Sequence, residues 1–384
     1  MRILHIITRL ILGGAQQNTV LSCAAQVKAG HEVHLAYGPI YGPEGSLLDE
    51  ATASGAVLHE IGSMRRAVNP WHDVRCYYAL RKLIRTIKPD IVHTHSSKAG
   101  IVGRAAAWAE RNRRFPIVVH TVHGLPFHDR QSLPAHRLYV CLERWAARRC
   151  DHLIAITPAM VDAFERKGIA TRDRFTVIHS GVDLSCFSEN LDAIPQVLEE
   201  LGIPRGANVL GIVARLDPLK GHRDLMEING QLSQRIDNFW MLWIGDGFDQ
   251  SIRDAATKQS NIVMTGLKSH AEVSRLLSAV DVKVLPSYQA GQSRTLIEAL
   301  LCGCGIVAYD SGGIGSICID GETGKLVPRG DKKALAEAII WMFEHPDERR
   351  LMVARGQKLV REKFSADTMV AQLEKLYERL VSGK

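Results

Sequence analysis

The chain has 384 residues, 46% of them hydrophobic and 23% charged, with a mean hydropathy of −0.05 and a formal net charge of +7. That is more chain than one ordinary core fills, so two domains of roughly 180–200 residues are expected, and the apolar runs are strand-sized, which excludes a transmembrane helix. The charge is lopsided: the first 190 residues carry 24 Lys and Arg against 16 Asp and Glu, and the remainder carry 24 against 25.

In chain order, strand-like segments fall at 2–8, 32–37, 57–61, 90–95, 116–122, 152–157 and 175–179, then at 208–214, 239–244, 261–265, 281–285, 305–309 and 325–327. Helical patterns lie between them, at 16–28, 71–88, 99–111 and 135–149 in the first half. In the second they lie at about 221–235, 249–258, 270–279, 295–302 and 331–344, with a terminal one at about 366–381. The rhythm predicts an α/β protein of two doubly wound, parallel-sheet, Rossmann-like domains, with ligands taken at the carboxyl ends of the strands in an interdomain cleft. Residues 1–190 form the first domain and 191–365 the second, the boundary lying in the turn-rich stretch 183–207. The helix at 366–384 is free to cross back to the first domain. The N-terminus reads as a strand and lacks the apolar length and cleavage site of a signal peptide.

The chemistry gathers at strand ends. Gly13 and Gly14, followed by Gln16, stand between the first strand and the first helix, where glycine lets backbone approach a ligand or simply makes a turn. A dinucleotide fingerprint is absent there. Strand 90–95 delivers His93 and His95 to one face; no third metal ligand is identifiable, so a polar cleft wall is expected in preference to a metal site. His123, before Gly124, ends the next strand, and serves either as a structural residue or as a proton donor or acceptor in the cleft. In the second half, Arg215 follows the strand at 208–214 and Lys220 is placed at the start of the next helix. Two cations beside a helix N-terminus suit a diphosphate; the plainer reading is a loop with surface charges. Leu267 lies in the turn after strand 261–265. Residues 286–298 read Pro-Ser-Tyr-Gln-Ala-Gly-Gln-Ser-Arg-Thr-Leu-Ile-Glu. Gly291, Gln292, Ser293 and Arg294 form a loop into a helix that begins near Thr295 and carries Glu298 in its first turn. Such a loop aims N–H groups at an anion, and Glu298 is placed to accept from sugar hydroxyls or to answer the helix dipole.

The eight cysteines, at 23, 76, 141, 150, 186, 302, 304 and 318, include no C-x-x-C pair. Reduced thiols in a cytosolic protein are expected and a zinc site is not. The basic stretches Arg65–Lys88, Arg104–Arg114 and Arg137–Arg149 suit an anionic partner, or are solvated helix faces. Nucleic acid is not expected, since no helix-turn-helix, ribonucleoprotein or zinc-finger pattern accompanies the charge.

The order Val-His-Thr-His-Ser-Ser-Lys-Ala-Gly (92–100), Thr-Val-His-Gly (121–124), Ser-Gly-Val-Asp (180–183), Ala-Arg-Leu-Asp-Pro-Leu-Lys-Gly (214–221), Gly-Asp-Gly (245–247) and Leu-Ile-Glu-Ala-Leu (296–300) resembles the family-4 retaining glycosyltransferases of the GT-B fold, bacterial capsular and surface-polysaccharide enzymes in particular. The resemblance implies sugar transfer from a nucleotide-sugar, a UDP-sugar favoured, to a glycan or lipid-linked acceptor, with retention, without a metal or other cofactor. Apart from the resemblance, the cysteine pattern and the N-terminus point to a cytoplasmic protein, and the basic half to peripheral attachment to an anionic membrane surface. Arg215 and Lys220 would neutralise the leaving diphosphate, and Arg294 and Thr295 would offer it N–H groups. Glu298 would hold the ribose, Leu267 the base through its backbone, Gly14 the diphosphate from the first domain, and His123 the transferred sugar. The chain departs from the family's E-x7-E signature, with Ala290 where the first glutamate should stand. It also has Gly315 and Ser316 where Pro-Glu usually follows Ile314. The resemblance therefore implies either an active transferase weakened in sugar recognition or a catalytically silent nucleotide-sugar-binding partner subunit.

Overall fold

The computed structural model describes residues 1–41, 45–112, 115–127, 131–247 and 249–383. Two compact units emerge: residues 1–181 with 366–384, and residues 182–365. The first alternates β1 (Arg2–Arg9), α1 (Gly14–Lys28), β2 (Glu32–Gly38), α2 (Leu48–Ala53), β3 (Val57–Glu60), α3 (Pro70–Ile87), β4 (Ile91–His95), α4 (Ser97–Ala109), β5 (Ile117–Val122), α5 (Leu133–Ala147), β6 (His152–Ala155), α6 (Pro158–Arg166) and β7 (Phe175–Val177). The second runs α7 (Ile194–Glu200), β8 (Asn208–Val213), α8 (His222–Arg235), β9 (Phe239–Ile244), α9 (Gln250–Ala256), β10 (Ile262–Met264), α10 (His270–Leu277), β11 (Val282–Leu285), α11 (Arg294–Leu301), β12 (Gly305–Tyr309), β13 (Lys325–Val327), α12 (Lys332–Glu344) and α13 (Pro346–Lys363). Helix α14 (Ala366–Ser382) belongs to the first unit.

Both sheets are parallel throughout, in the orders β3-β2-β1-β4-β5-β6-β7 and β10-β9-β8-β11-β12-β13. Parallel strands are buried on both faces, and successive residues serve opposite cores. In the first unit Leu4, Ile6, Val92 and Val118 pack under α3 and α4, while Ile3, Ile91, Ile117 and Val119 pack under Met369, Leu373, Leu376 and Tyr377 of α14. In the second, Leu210, Ile212, Val282 and Val284 pack under α8 and α12, and Val209, Leu285, Ile306 and Ala308 under α10, α11 and α13. The strand order reverses between β1 and β4 and between β8 and β11, and such switch points open crevices at the strands' carboxyl ends.

The stretch 183–207 is not a linker. Val182 bridges to Ser365, Phe187 packs in the second core, and the chain then builds α7, whose Val197 and Leu198 are buried. The division therefore falls at 181/182, ahead of the expected 190/191. No helix among the described residues is long and apolar enough to cross a membrane. Arg113 and Arg114 of the basic stretch 104–114 lie outside the described residues.

Candidate functional site

The second unit's switch point is flanked by two loops, 214–221 after β8 and 286–293 after β11. They are pinned together. The N–H of Tyr288 donates to the carbonyl of Leu219 at 2.9 Å. Gly221 has φ +77°, and a Cβ there would lie 2.1 Å from the carbonyl oxygen of Pro286, so only glycine permits both the turn and the approach. Lys220 closes a 3-10 turn, Pro218–Lys220, one residue short of the α8 start expected for it. Burial lowers its pKa, and the like charge of Arg215 lowers it further, against an opposing pull from Asp217. Neither cation makes a salt bridge among the described residues, and Arg215 is exposed. Two neighbouring positive charges with no salt-bridged carboxylate among the described residues favour an anion beside them.

Helix α11 starts at Arg294, one residue earlier than expected, so Glu298 falls in the second turn. Its N-cap, Ser293, makes no side-chain capping bond, which leaves the first N–H groups available. The hydroxyls of Ser293 and Thr295 are 3.2 Å apart. Arg294 has its Nε and one terminal nitrogen buried with no partner among the described residues, and burial lowers its pKa in spite of Glu298 and Cys186 nearby. Glu298 is 5% exposed and favours the charged forms of Arg294 and of Lys283. Gly291 and Gln292 form the half-buried bend before Ser293. Leu267 is exposed beyond β10; a bridge joins Gly245 to Gly266 and another joins Leu216 to Gly247, which ties its turn to the loop after β8.

The structure adds groups with little sequence signal. Ser287 and Ser311 are buried with hydroxyls unpartnered among the described residues, and Lys283 is wholly buried beneath α11. The carbonyl of Ala290 would lie 2.1 Å from a Cβ at Gly312 (φ +67°), so the loop after β12 closes tightly on the position where a glutamate was expected.

In the first unit, Gly13 is the extended N-cap of α1 and Gly14 its first residue, with no side-chain cap. A Cβ on Gly13 would meet only the mobile end of Gln16, so close approach, not strain, is what this glycine offers. His123 follows β5 and is half-buried; burial pushes its pKa down to about 4, so its imidazole is neutral at pH 7. His95 does not line a cleft. It is 1% exposed, with Nε2 at 3.0 Å from Nδ1 of His5 and Nδ1 at 3.0 Å from Nε2 of His123. It therefore supports His123 from behind, with both ring nitrogens engaged by other histidines. Gln26 Oε1 accepts from His5 Nε2 at 2.8 Å. With neutral rings this sets every proton in turn: His95 donates from Nε2 to His5, and His123 donates from Nε2 to His95.

His5 is also the third residue that would join His93 and His95 as a metal group, their ligand atoms lying within 4.8 Å of one another. Each ring nitrogen of the trio is already engaged, His93 by the Tyr377 hydroxyl at 2.5 Å and Thr121 at 2.7 Å. Burial holds all three pKa values down. The arrangement is a hydrogen-bonded interior cluster of neutral rings.

Comparison with known proteins agrees with this layout. Residues 12–185 match the model of Glycosyltransferase Family 4, and residues 194–359 that of Glycosyl transferases group 1. A UDP-Gal:alpha-D-GlcNAc-diphosphoundecaprenol alpha-1,3-galactosyltransferase of Escherichia coli is 27% identical over 287 residues, 73% of each chain. The capsular polysaccharide biosynthesis glycosyltransferase CapM of Staphylococcus aureus is 26% identical over 321 residues, 82% of this chain and 83% of that one. A crystal structure of Anabaena HepE in complex with UDP-glucose superposes with a TM-score of 0.83 at 20% identity, covering 98% and 99% of the two chains. The chain belongs to the family-4 glycosyltransferases of the GT-B fold.

Proposed function

We propose that this glycosyltransferase moves a sugar from a nucleoside-diphosphate sugar, a UDP-sugar favoured, to a glycan or lipid-linked acceptor in surface-polysaccharide synthesis, with retention at the anomeric carbon. The observation that carries the reading is the cation set Arg215, Lys220 and Arg294, none of them in a salt bridge among the described residues, at an uncapped helix N-terminus on the second unit's switch point. These charges meet the diphosphate as it leaves, stabilising charge that grows in the transition state without calling on a metal. Glu298 takes the ribose hydroxyls and the turn at Leu267 takes the base through its backbone. His123, neutral, contacts the transferred sugar by a hydrogen bond. The E. coli and S. aureus relatives and the UDP-glucose complex support the donor and acceptor classes.

The first unit is the acceptor side. On α5 the exposed residues Pro134, Arg137, Leu138, Cys141, Trp145 and Arg148 recur at helical spacing, placing an apolar strip between arginines. This face suits an anionic membrane surface bearing a lipid-linked acceptor. Co-sedimentation with vesicles that does not increase with anionic lipid content refutes the attachment.

Calorimetric titration with UDP, GDP and ADP tests the donor site. One nucleotide binds, and binding is lost in Arg215→Ala/Lys220→Ala; no binding of any of the three refutes the reading. Ala290 favours a second reading, a nucleotide-sugar-binding subunit without turnover, which the same titration followed by a turnover assay separates from the first.

A further inference from the structure

Lys283 is the second residue of β11, a central strand paired with β8 at Gly211 and with β12 at Ile306. Side chains alternate along the strand, so Lys283 shares the α11 face with Leu285, while Val282 and Val284 serve the other core. It is 0% exposed. Lysine is almost never fully buried without a partner, and among the described residues this ammonium has no salt bridge. Its hydrogen bond is from Nζ to Oγ1 of Thr295 at 2.9 Å. Thr295 is the second residue of α11, and its hydroxyl lies 3.2 Å from that of Ser293, the residue at the helix N-cap. The buried amine thus touches, from beneath, the turn proposed to hold the diphosphate from above.

The groups facing Lys283 come from every side. Glu298 of α11 and the thiols of Cys304 and Cys318 favour its charged form, while Lys220 of the 214–221 loop opposes it. Burial outweighs all of these and pushes the amine down to about 7. A lysine so placed is divided between charged and neutral forms at physiological pH. An anion at the α11 N-terminus shifts it to the charged form.

We propose that Lys283 is a proton-linked positioning residue for the donor diphosphate, taking up a proton from solvent as the anion binds and then holding Thr295 and the first turn of α11 in register as an ammonium. The inference rests on the donor-site reading given above. By linkage, donor affinity falls as pH rises past the amine's free titration point, by about fivefold between pH 7 and pH 8 for a single group that is fully protonated when the site is filled. The terminal phosphate of UDP completes its own second ionisation at about pH 6 to 7, which tightens binding as pH rises and so works against the decline.

The test is calorimetric titration of the full chain with UDP, between pH 7 and 8.5, in pairs of buffers with different ionisation enthalpies. Wild-type protein is expected to take up a fraction of a proton per UDP, with affinity declining about fivefold per pH unit. Lys283→Met, which keeps the volume and loses the amine, is expected to bind with a flat pH profile and no uptake. Lys220 is the competing proton source. Uptake that persists undiminished in Lys283→Met overturns the inference, as does a wild-type profile that is flat with no uptake. These results leave the donor site intact, whereas wild-type protein that binds none of UDP, GDP and ADP removes the donor-site reading itself. Because a flat wild-type profile overturns the inference without any variant, a Lys283→Met protein that fails to fold does not shield the proposal.

Discussion

Acid is expected to open the first unit before the second, through the histidines around β1, β4 and β5. His5 is fully buried, and burial pushes its pKa from an ordinary 6.5 down to about 4. Below pH 6.5 the unfolded chain holds a proton on this ring that the folded chain refuses until about pH 4, so stability falls as pH falls through that window. At about 1.4 kcal/mol per pH unit, His5 alone removes about 3 kcal/mol by pH 4. His93, His95 and His120 are lowered in the same direction by burial and by one another's charge. Their contributions are not additive, since the rings share hydrogen bonds, but even one or two such losses are a large part of a typical stability of 5–15 kcal/mol. The second unit has a smaller counterpart in His222, also pushed down to about 4. The assay is pulsed hydrogen exchange read by mass spectrometry after equilibration between pH 7 and 4. Peptides covering β1, β4 and β5 should lose protection at higher pH than those covering β8, β9 and β11. Simultaneous loss, or earlier loss in the second unit, refutes the reasoning. So does any of the interior histidines titrating near 6.5 by NMR.

Three further outcomes are expected. Arg104 and Glu143 form a wholly buried ion pair at 2.8 Å, so Glu143→Ala should cost about 3–5 kcal/mol by stranding the guanidinium, while Arg104→Leu/Glu143→Leu should recover most of it; urea midpoints measure both, and a single-variant loss under 1 kcal/mol contradicts the claim. Gly221→Ala forces a Cβ onto the Pro286 carbonyl at a positive φ, parting the two loops of the donor site; UDP affinity should drop at least about tenfold, and an unchanged affinity by calorimetry contradicts it. Ala290→Glu restores a charged acceptor worth about 1.5–3 kcal/mol, so turnover should rise by about 10- to 150-fold; an equal or lower rate defeats the idea that Ala290 weakens sugar recognition.

Sequence pattern reached the strands readily, because parallel strands buried on both faces are short apolar runs between glycine- or proline-marked turns. It missed helices whose apolar signal is thin. In α13 only Met352, Val353, Gly356 and Val360 are buried among arginines, lysines and glutamates, and in α7 Pro195 reads as a turn residue although proline suits the first turn of a helix. The places of Arg215, Lys220, Arg294 and Glu298 in the fold were legible, because each lies in or just after a loop that leaves the carboxyl end of a strand. His95 was misread for want of long-range information. Its alternation with His93 was plain, but His5, 90 residues earlier, is brought to it only by β1 pairing with β4, and Tyr377 of the last helix is brought to its neighbour His93 only by α14 packing on that face. Lys283 was invisible for a related reason. Val-Lys-Val-Leu also fits a strand with one wet face, and only the central place of β11 buries the amine.

Helix α14 gives the first unit a debt to the far end of the chain. Asn18 donates to the sulfur of Met369 at 2.9 Å and the Gly181 N–H donates to the same atom at 3.1 Å; His31 meets Glu374 at 2.7 Å. One face of the first sheet, with Ile3, Ile91 and Ile117, has little cover beyond Leu21 of α1 until Met369, Leu373 and Tyr377 arrive. On the ribosome, at about 5–20 residues per second, that gap lasts ten seconds or more while residues 182–365 are made. The unit synthesised second is contiguous and can finish first, so the order of synthesis and the order of completed folding run opposite ways. A nascent chain stalled just before residue 366 should display an open apolar sheet face, which makes it a natural client for chaperones at the exit tunnel.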